Sequence, residues 1–138
     1  MESTTYRPLP KMCTIKQSEI EGLGLFATER IPKYTFLGIT HVKREEISNE
    51  PYFRTPLGGF YNHSDIPNAK SLFARNLDEV TSLTPGATYD LETIKTWINK
   101  SEIYEKEGQI NYRFMVTLME INMGEEIKLT YNLYTPRT

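Results

Sequence analysis

The sequence predicts a mainly β fold with short helices and one substantial helix, and three observations carry that prediction. Short runs rich in β-branched and aromatic residues, broken by Gly, Pro, Asn and Asp, fill the first half. The segment 110–121 alternates apolar and polar residues, the period of a strand with two unlike faces. Only 90–107 sustains the helical period, with Leu91, Ile94, Trp97 and Ile98 on one face.

Taken in order, residues 1–11 read as a loose leader, stiffened at Arg7-Pro8-Leu9-Pro10 and lacking the apolar centre of a signal peptide. Strands are expected at 12–16, 25–28 and, after the turn around Pro32, at 34–42. The polar, acid-rich stretch 43–50 suits a helical turn that Pro51 ends. A strand at 71–75 precedes a loop over 77–88 that contains Pro85-Gly86. Asp90 then caps the helix, Glu92 suits its first turn, and Gly108 stops it. In the next strand Ile110, Tyr112, Phe114, Val116 and Leu118 share one side, opposite Asn111, Arg113 and Thr117, which reads as half-buried. Asn122-Met123-Gly124 turns the chain into a last strand at 127–131.

With 138 residues and 38% hydrophobic content, one core is expected, without internal repeat or second domain. A net charge of -2 gives no electrostatic footprint for nucleic acid. A single cysteine, Cys13, excludes an intramolecular disulfide and a cysteine-based zinc cluster, and suits a reducing compartment. No window approaches the ~20 apolar residues of a membrane helix, so a soluble protein, cytoplasmic or otherwise intracellular, is expected. Asn62-His63-Ser64 and Asn99-Lys100-Ser101 fit the glycosylation sequon, a pattern that arises often by chance.

Three motifs carry chemistry. Glu21-Gly22-Leu23-Gly24-Leu25-Phe26-Ala27 formally matches the dinucleotide fingerprint, with Glu45 and Glu46 at a fitting later position. That fingerprint needs a helix opening at the glycines, and Pro32 with Tyr34-Thr35-Phe36-Leu37 leaves no room for one. What remains is a structural turn, or a turn whose missing side chains let a flat cofactor approach the backbone.

Asn62-His63-Ser64-Asp65-Ile66-Pro67-Asn68 is the second motif. On its own His63 reads as a satisfied core or loop histidine, and Asn62 and Asn68 as turn formers around Pro67. No metal is expected, because the only other histidine is His41 and no carboxylate stands at ligand spacing. Adjacent His63, Ser64 and Asp65 cannot all turn toward one nucleophile, which excludes a triad. The third motif, Gly124-Glu125-Glu126-Ile127-Lys128-Leu129-Thr130-Tyr131, reads alone as a turn and an edge strand.

Together, in this order and spacing, the three motifs resemble those of SET-domain protein-lysine methyltransferases, most closely the small viral or microbial type. The resemblance covers about residues 13–134. It implies a fold of small β-sheets with a C-terminal pseudoknot, one domain over 12–138, and an insert at about 77–109 carrying the helix. It further implies methyl transfer from S-adenosyl-L-methionine to the lysine ε-amine of a protein substrate, leaving S-adenosyl-L-homocysteine. By similarity Glu21, Gly22, Leu23 and Gly24 line the cofactor, and Asn62 and His63 hold it through a side-chain amide and main-chain contacts. Tyr131 matches the family's catalytic tyrosine and also borders the cofactor, while Leu129 and Phe60 border the substrate channel. Leu129 stands where many members carry Phe or Tyr, which implies room for multiple methylation.

The chain departs from the family at Gly58-Gly59, where many members carry Arg, and at Asn132, which replaces a glycine. Tyr134 or a partner chain is expected to close the channel, and the helix to share in the substrate groove or in packing. Competing readings are a SET-fold module that binds cofactor or peptide without turnover, and methylation of a non-lysine or non-protein amine. Substrate identity and oligomeric state are left open.

Overall fold

A computed structural model describes residues 9–42, 53–108 and 112–129, and the structural statements below concern those residues. In chain order they form β1 (Cys13–Gln17), β2 (Leu23–Ala27), β3 (Phe36–Val42), β4 (Phe53–Arg54), α1 (Pro56–Gly59), β5 (Asn62–His63), β6 (Ala69–Ala74), α2 (Asp78–Thr81), α3 (Leu91–Glu107), β7 (Tyr112–Thr117) and β8 (Glu126–Leu129). Strand outweighs helix, in two sheets ordered β1-β2-β8-β5 and β4-β3-β7-β6.

The first sheet begins with the β1–β2 hairpin, in register from Cys13↔Ala27 to Gln17↔Leu23. Alternation along β2 and β8 sends Leu25, Ala27, Ile127 and Leu129 into a core shared with Leu37, Leu57, Ala69, Met115 and Ile121. Leu25, Ile127 and Leu129 are at most 1% exposed, and burying such a side chain contributes about 2 kcal/mol. Leu9, within the expected leader, packs against this core.

The second sheet is buried on both faces. Leu37 and Met115 face the first sheet, whereas Phe36, Leu72, Phe114 and Val116 form a second core with Ile94 of α3. This corrects the half-buried reading of the strand before the last turn: β7 is shorter, and Arg113 and Thr117 on its supposed wet side are 2% and 0% exposed. Thr117 Oγ1 accepts from the Thr35 N–H and donates to the Pro32 carbonyl, which satisfies its burial.

The helix forms where its caps placed it. The Asp90 carboxylate accepts from the Thr93 N–H at 2.9 Å, and Gly108 closes the helix in the left-handed region with φ 72°. Its apolar face differs at one end: Leu91 is exposed, and Ser101 and Tyr104 extend the buried stripe. Ser101 Oγ accepts from the Phe73 N–H at 2.9 Å, so this sequon serine is an internal tie between α3 and β6. Within the loop expected at 77–88 the chain makes the short α2.

The helical turn expected at 43–50, the strand ends at Ile110 and Asn111, and the expectations for Thr130, Tyr131, Asn132 and Tyr134 lie outside the described residues. The C-terminal pseudoknot concerns the chain after Leu129 and lies outside them too. No helix among the described residues is long and apolar enough to cross a membrane.

Candidate functional site

β8 brings the three motifs into one sheet. On one side it pairs antiparallel with the Gly-x-Gly strand β2 through Leu25↔Ile127 and Phe26↔Glu126. On the other it pairs parallel with β5 through Asn62↔Lys128 and His63↔Leu129. The Ser64 N–H continues this ladder by donating to the Leu129 carbonyl at 2.9 Å.

The segment before β2 is a tight turn, closed by the Ser18 N–H donating to the Gly22 carbonyl at 2.7 Å. A strand that includes Gly24 follows Gly22, in keeping with rejection of the dinucleotide reading. The two glycines answer different demands. Gly22 sits at φ +49° with nothing within 4 Å of an added Cβ, so its open side is bare backbone. At Gly24 an added Cβ would fall 2.3 Å from Glu126 Oε2 and 3.0 Å from the Ser18 Cβ. The bare face of Gly24 is thus the space that the Glu126 carboxylate of the third motif occupies.

Asn62 is 9% exposed and its carboxamide is tied down. Nδ2 donates to Glu126 Oε2 at 2.7 Å and approaches the Glu21 and Leu23 carbonyls, each at 3.3 Å. Ser18 Oγ lies 2.8 and 2.9 Å from the two Glu126 oxygens and shares its proton between them. Glu126, absent from the sequence-derived candidates, is therefore the hub of this site. Its signal was the alternation of β8, which turns Ile127 and Leu129 inward and Glu126 toward the other face.

Glu21, Gly22, Leu23, Gly59, Phe60, Tyr61 and Asn62 line an open cleft of about 410 Å³. Sheet order brings Glu21 to Leu23 and Asn62 together here, while α1 delivers Gly59 and Phe60. The Thr55 side chain caps α1 by accepting from the Gly58 N–H, and donates to the Ile39 carbonyl at 2.6 Å. Leu23 and Phe60 present exposed apolar surface, 52% and 37%. No residue of α3 lines this cleft; the helix serves packing on β6 and β7.

Of the remaining candidates, Gly24 is turned to Glu126 and Leu129 is buried in the first core. The His63 backbone belongs to the β5–β8 ladder, and its half-exposed imidazole lies 3.4 Å from Asp65 Oδ1. Tyr131, joined to Leu129 through Thr130 alone, lies outside the described residues. Among the described residues no group of three or more His, Cys, Asp or Glu side chains is placed to hold a metal ion.

His41 is wholly buried in β3, with Nδ1 2.8 Å from Thr40 Oγ1. Burial, then the charges of Arg113 and Arg54, push its pKa down to about 3. It is neutral at any physiological pH and belongs to the second sheet.

No protein-family model and no curated protein matches the chain. Among solved structures, a Plasmodium falciparum protein described as a "putative histone methyltransferase" superposes with a TM-score of 0.53 at 23% identity, over 86% of this chain and 96% of that one. At that identity the likeness is one of fold, and it agrees with the resemblance to SET-domain proteins carried by the three motifs.

Proposed function

We propose that this chain is an S-adenosyl-L-methionine-dependent methyltransferase acting on the lysine ε-amine of a protein. The observation that supports it best is the position of β8 between β2 and β5, which joins the three motifs in one sheet and sets the first two beside one cleft.

The residues present suit the cofactor. The cleft lies within the size range of small-molecule sites, Gly22 leaves backbone open to close approach, and Leu23 and Phe60 offer apolar surface to a flat base. When bound, S-adenosyl-L-methionine supplies a methyl group on a positively charged sulfur.

The chain must supply a neutral amine and its alignment. With a pKa near 10.4, only about one lysine in 2,500 is neutral at pH 7. Apolar surroundings disfavour the ammonium form, and each unit of depression corresponds to about 1.4 kcal/mol. Phe60 and Tyr61 border the cleft and offer aromatic surface to the entering side chain; Leu129 shares the core behind it with Tyr61. No general base is required in this scheme, and His63 acts through its main chain. We assign Tyr131 as the catalytic residue, its phenolic oxygen accepting weak C–H hydrogen bonds from the methyl group, with in-line positioning as the main contribution to rate. The pseudoknot beyond Leu129 belongs to this proposal, as does multiple methylation, which exclusive monomethyl product at exhaustive turnover in mass spectrometry would refute.

Incubation with radiolabelled S-adenosyl-L-methionine and a cell lysate tests the reading. Label on protein is expected for the wild type and not for Tyr131→Phe. Equal label in both removes the role given to Tyr131. Cofactor binding with no label in either favours a binding module instead.

A further inference from the structure

We infer that Glu126 is the positioning residue of the cofactor loop, fixing which polar atom Asn62 presents to the cleft. The inference rests on the cofactor reading above and concerns a residue that reading does not use.

An asparagine carboxamide offers two N–H protons on one atom and an acceptor on the other, and its orientation is set by its neighbours. Here Nδ2 meets three oxygens: Glu126 Oε2 at 2.7 Å and the Glu21 and Leu23 carbonyls at 3.3 Å each. The shortest contact is to the charged group, and charge-assisted hydrogen bonds are about twice as strong as neutral ones. The carboxylate thus turns Nδ2 into the loop and leaves Oδ1 as the acceptor offered to the cleft that Asn62 lines. A ligand bearing an N–H donor is the chemistry that this polarity selects.

Glu126 is itself locked from three directions. Its backbone belongs to β8, opposite Phe26 of β2. Its carbonyl accepts from Asn68 Nδ2 at 2.9 Å, and its carboxylate receives the Ser18 hydroxyl at 2.8 and 2.9 Å. The space over Gly24 is filled by this carboxylate, 2.3 Å from where a Cβ would stand. Ser18 in turn anchors the turn, its Oγ accepting from the Ile20 N–H at 2.9 Å and its N–H donating to the Gly22 carbonyl at 2.7 Å. One carboxylate therefore holds both ends of the loop that carries Glu21, Gly22 and Leu23: Ser18 at its start and, through Asn62, its two carbonyls.

Glutamine at position 126 can keep the network, since Oε1 accepts from Asn62 and Nε2 donates to Ser18 Oγ. Alanine cannot. The test compares wild type, Glu126→Gln and Glu126→Ala by amide hydrogen exchange over residues 18–24 and by calorimetric titration with S-adenosyl-L-homocysteine. Both are run well below each variant's unfolding midpoint. Glu126→Ala is expected to speed exchange of the Ser18 amide at least tenfold and to weaken nucleoside affinity at least tenfold, with Glu126→Gln within threefold of wild type on both. In turnover, Glu126→Ala raises the KM for S-adenosyl-L-methionine by a larger factor than it lowers kcat.

Wild-type exchange in Glu126→Ala overturns the inference, and so does equal impairment of the Gln and Ala variants. A wild type that binds no nucleoside refutes the cofactor reading, and loop exchange alone then judges the positioning. Should Glu126→Ala not fold, Gly24→Ala carries the test, because its methyl displaces the same carboxylate: the same loosening is expected, and its absence overturns the inference.

Discussion

Asn68 grips Lys128 by both its backbone and its side chain. The Asn68 N–H donates to the Lys128 carbonyl at 3.1 Å, while Asn68 Oδ1 accepts from the Lys128 N–H at 2.8 Å. With Nδ2 donating to the Glu126 carbonyl, the carboxamide imitates a peptide group laid against β8 from Glu126 to Lys128. Asn68→Ala leaves part-buried backbone groups unsatisfied and is expected to cost about 2 kcal/mol. Asn68→Asp is expected to cost more at neutral pH, since it sets a carboxylate oxygen against the Glu126 carbonyl. Urea unfolding at pH 7 measures both, and a loss below 0.5 kcal/mol for either rejects the grip as a stabilising contact.

Gly58 and Gly59 are adjacent but not equivalent. A Cβ on Gly58 would lie 2.2 Å from the Thr40 carbonyl oxygen and 2.8 Å from its carbon, both backbone atoms that cannot step aside, whereas one on Gly59 meets nothing within 4 Å. Gly58→Ala is expected to destabilise by about 3 kcal/mol or to prevent folding, and Gly59→Ala to stay within about 0.5 kcal/mol of wild type. Thermal unfolding of the pair is a direct comparison.

His41 makes stability depend on pH. Its pKa is lowered from 6.5 to about 3 in the folded protein by burial and by Arg113 and Arg54. The depressed value means that its contribution is fully present above pH 6.5 and is lost as pH falls toward 3, by up to about 1.4 kcal/mol per unit. Between pH 7 and pH 5 wild type is expected to lose about 2 kcal/mol more than His41→Asn. Parallel urea midpoints for the two proteins across that interval would remove His41 as the cause.

Trp97 joins α3 to the second sheet, its ring centroid 5.6 Å from Phe114 edge-on and 4.9 Å from Tyr89. Trp97→Ala is expected to cost about 3 to 5 kcal/mol in unfolding. Because no α3 residue lines the cleft, nucleoside affinity of the still-folded variant is expected within twofold of wild type. A larger loss would return the helix to a groove-forming role.

Elements built from local chemistry were legible in the sequence. Asp90 and Gly108 cap α3 as read, and the strands around Cys13, Leu25 and Phe36 appear where β-branched and aromatic runs lie. Non-local elements were not. β5 is two residues long and exists because Lys128 and Leu129 arrive beside it, an event no local pattern announces. Arg113 and Thr117 looked solvent-facing because alternation reports unlike faces, and here the polar face is buried against other partners. In the site, the candidates Glu21, Gly22, Leu23, Phe60 and Asn62 meet at one cleft. Asn62, assigned to cofactor contact, also spends its amide protons on the loop, and Glu126 as the hub emerged only from the three-dimensional pairing.

The place of β8 also sets the order of assembly. Residues 126–129 occupy the interior of the first sheet, between strands laid down about a hundred positions earlier and about sixty positions earlier. The Ser18–Glu126 contact spans 108 positions. Until that strand is synthesised, β2 and β5 have no common partner, and Ser18 and Asn62 lack the Glu126 carboxylate that joins them. Folding of the first sheet is thus expected to be slow and late, with the β1–β2 hairpin and the α3 layer waiting as separate pieces. Protein synthesis itself therefore acts as a timer: a nascent chain acquires its cleft only when nearly all of the described sequence is in place.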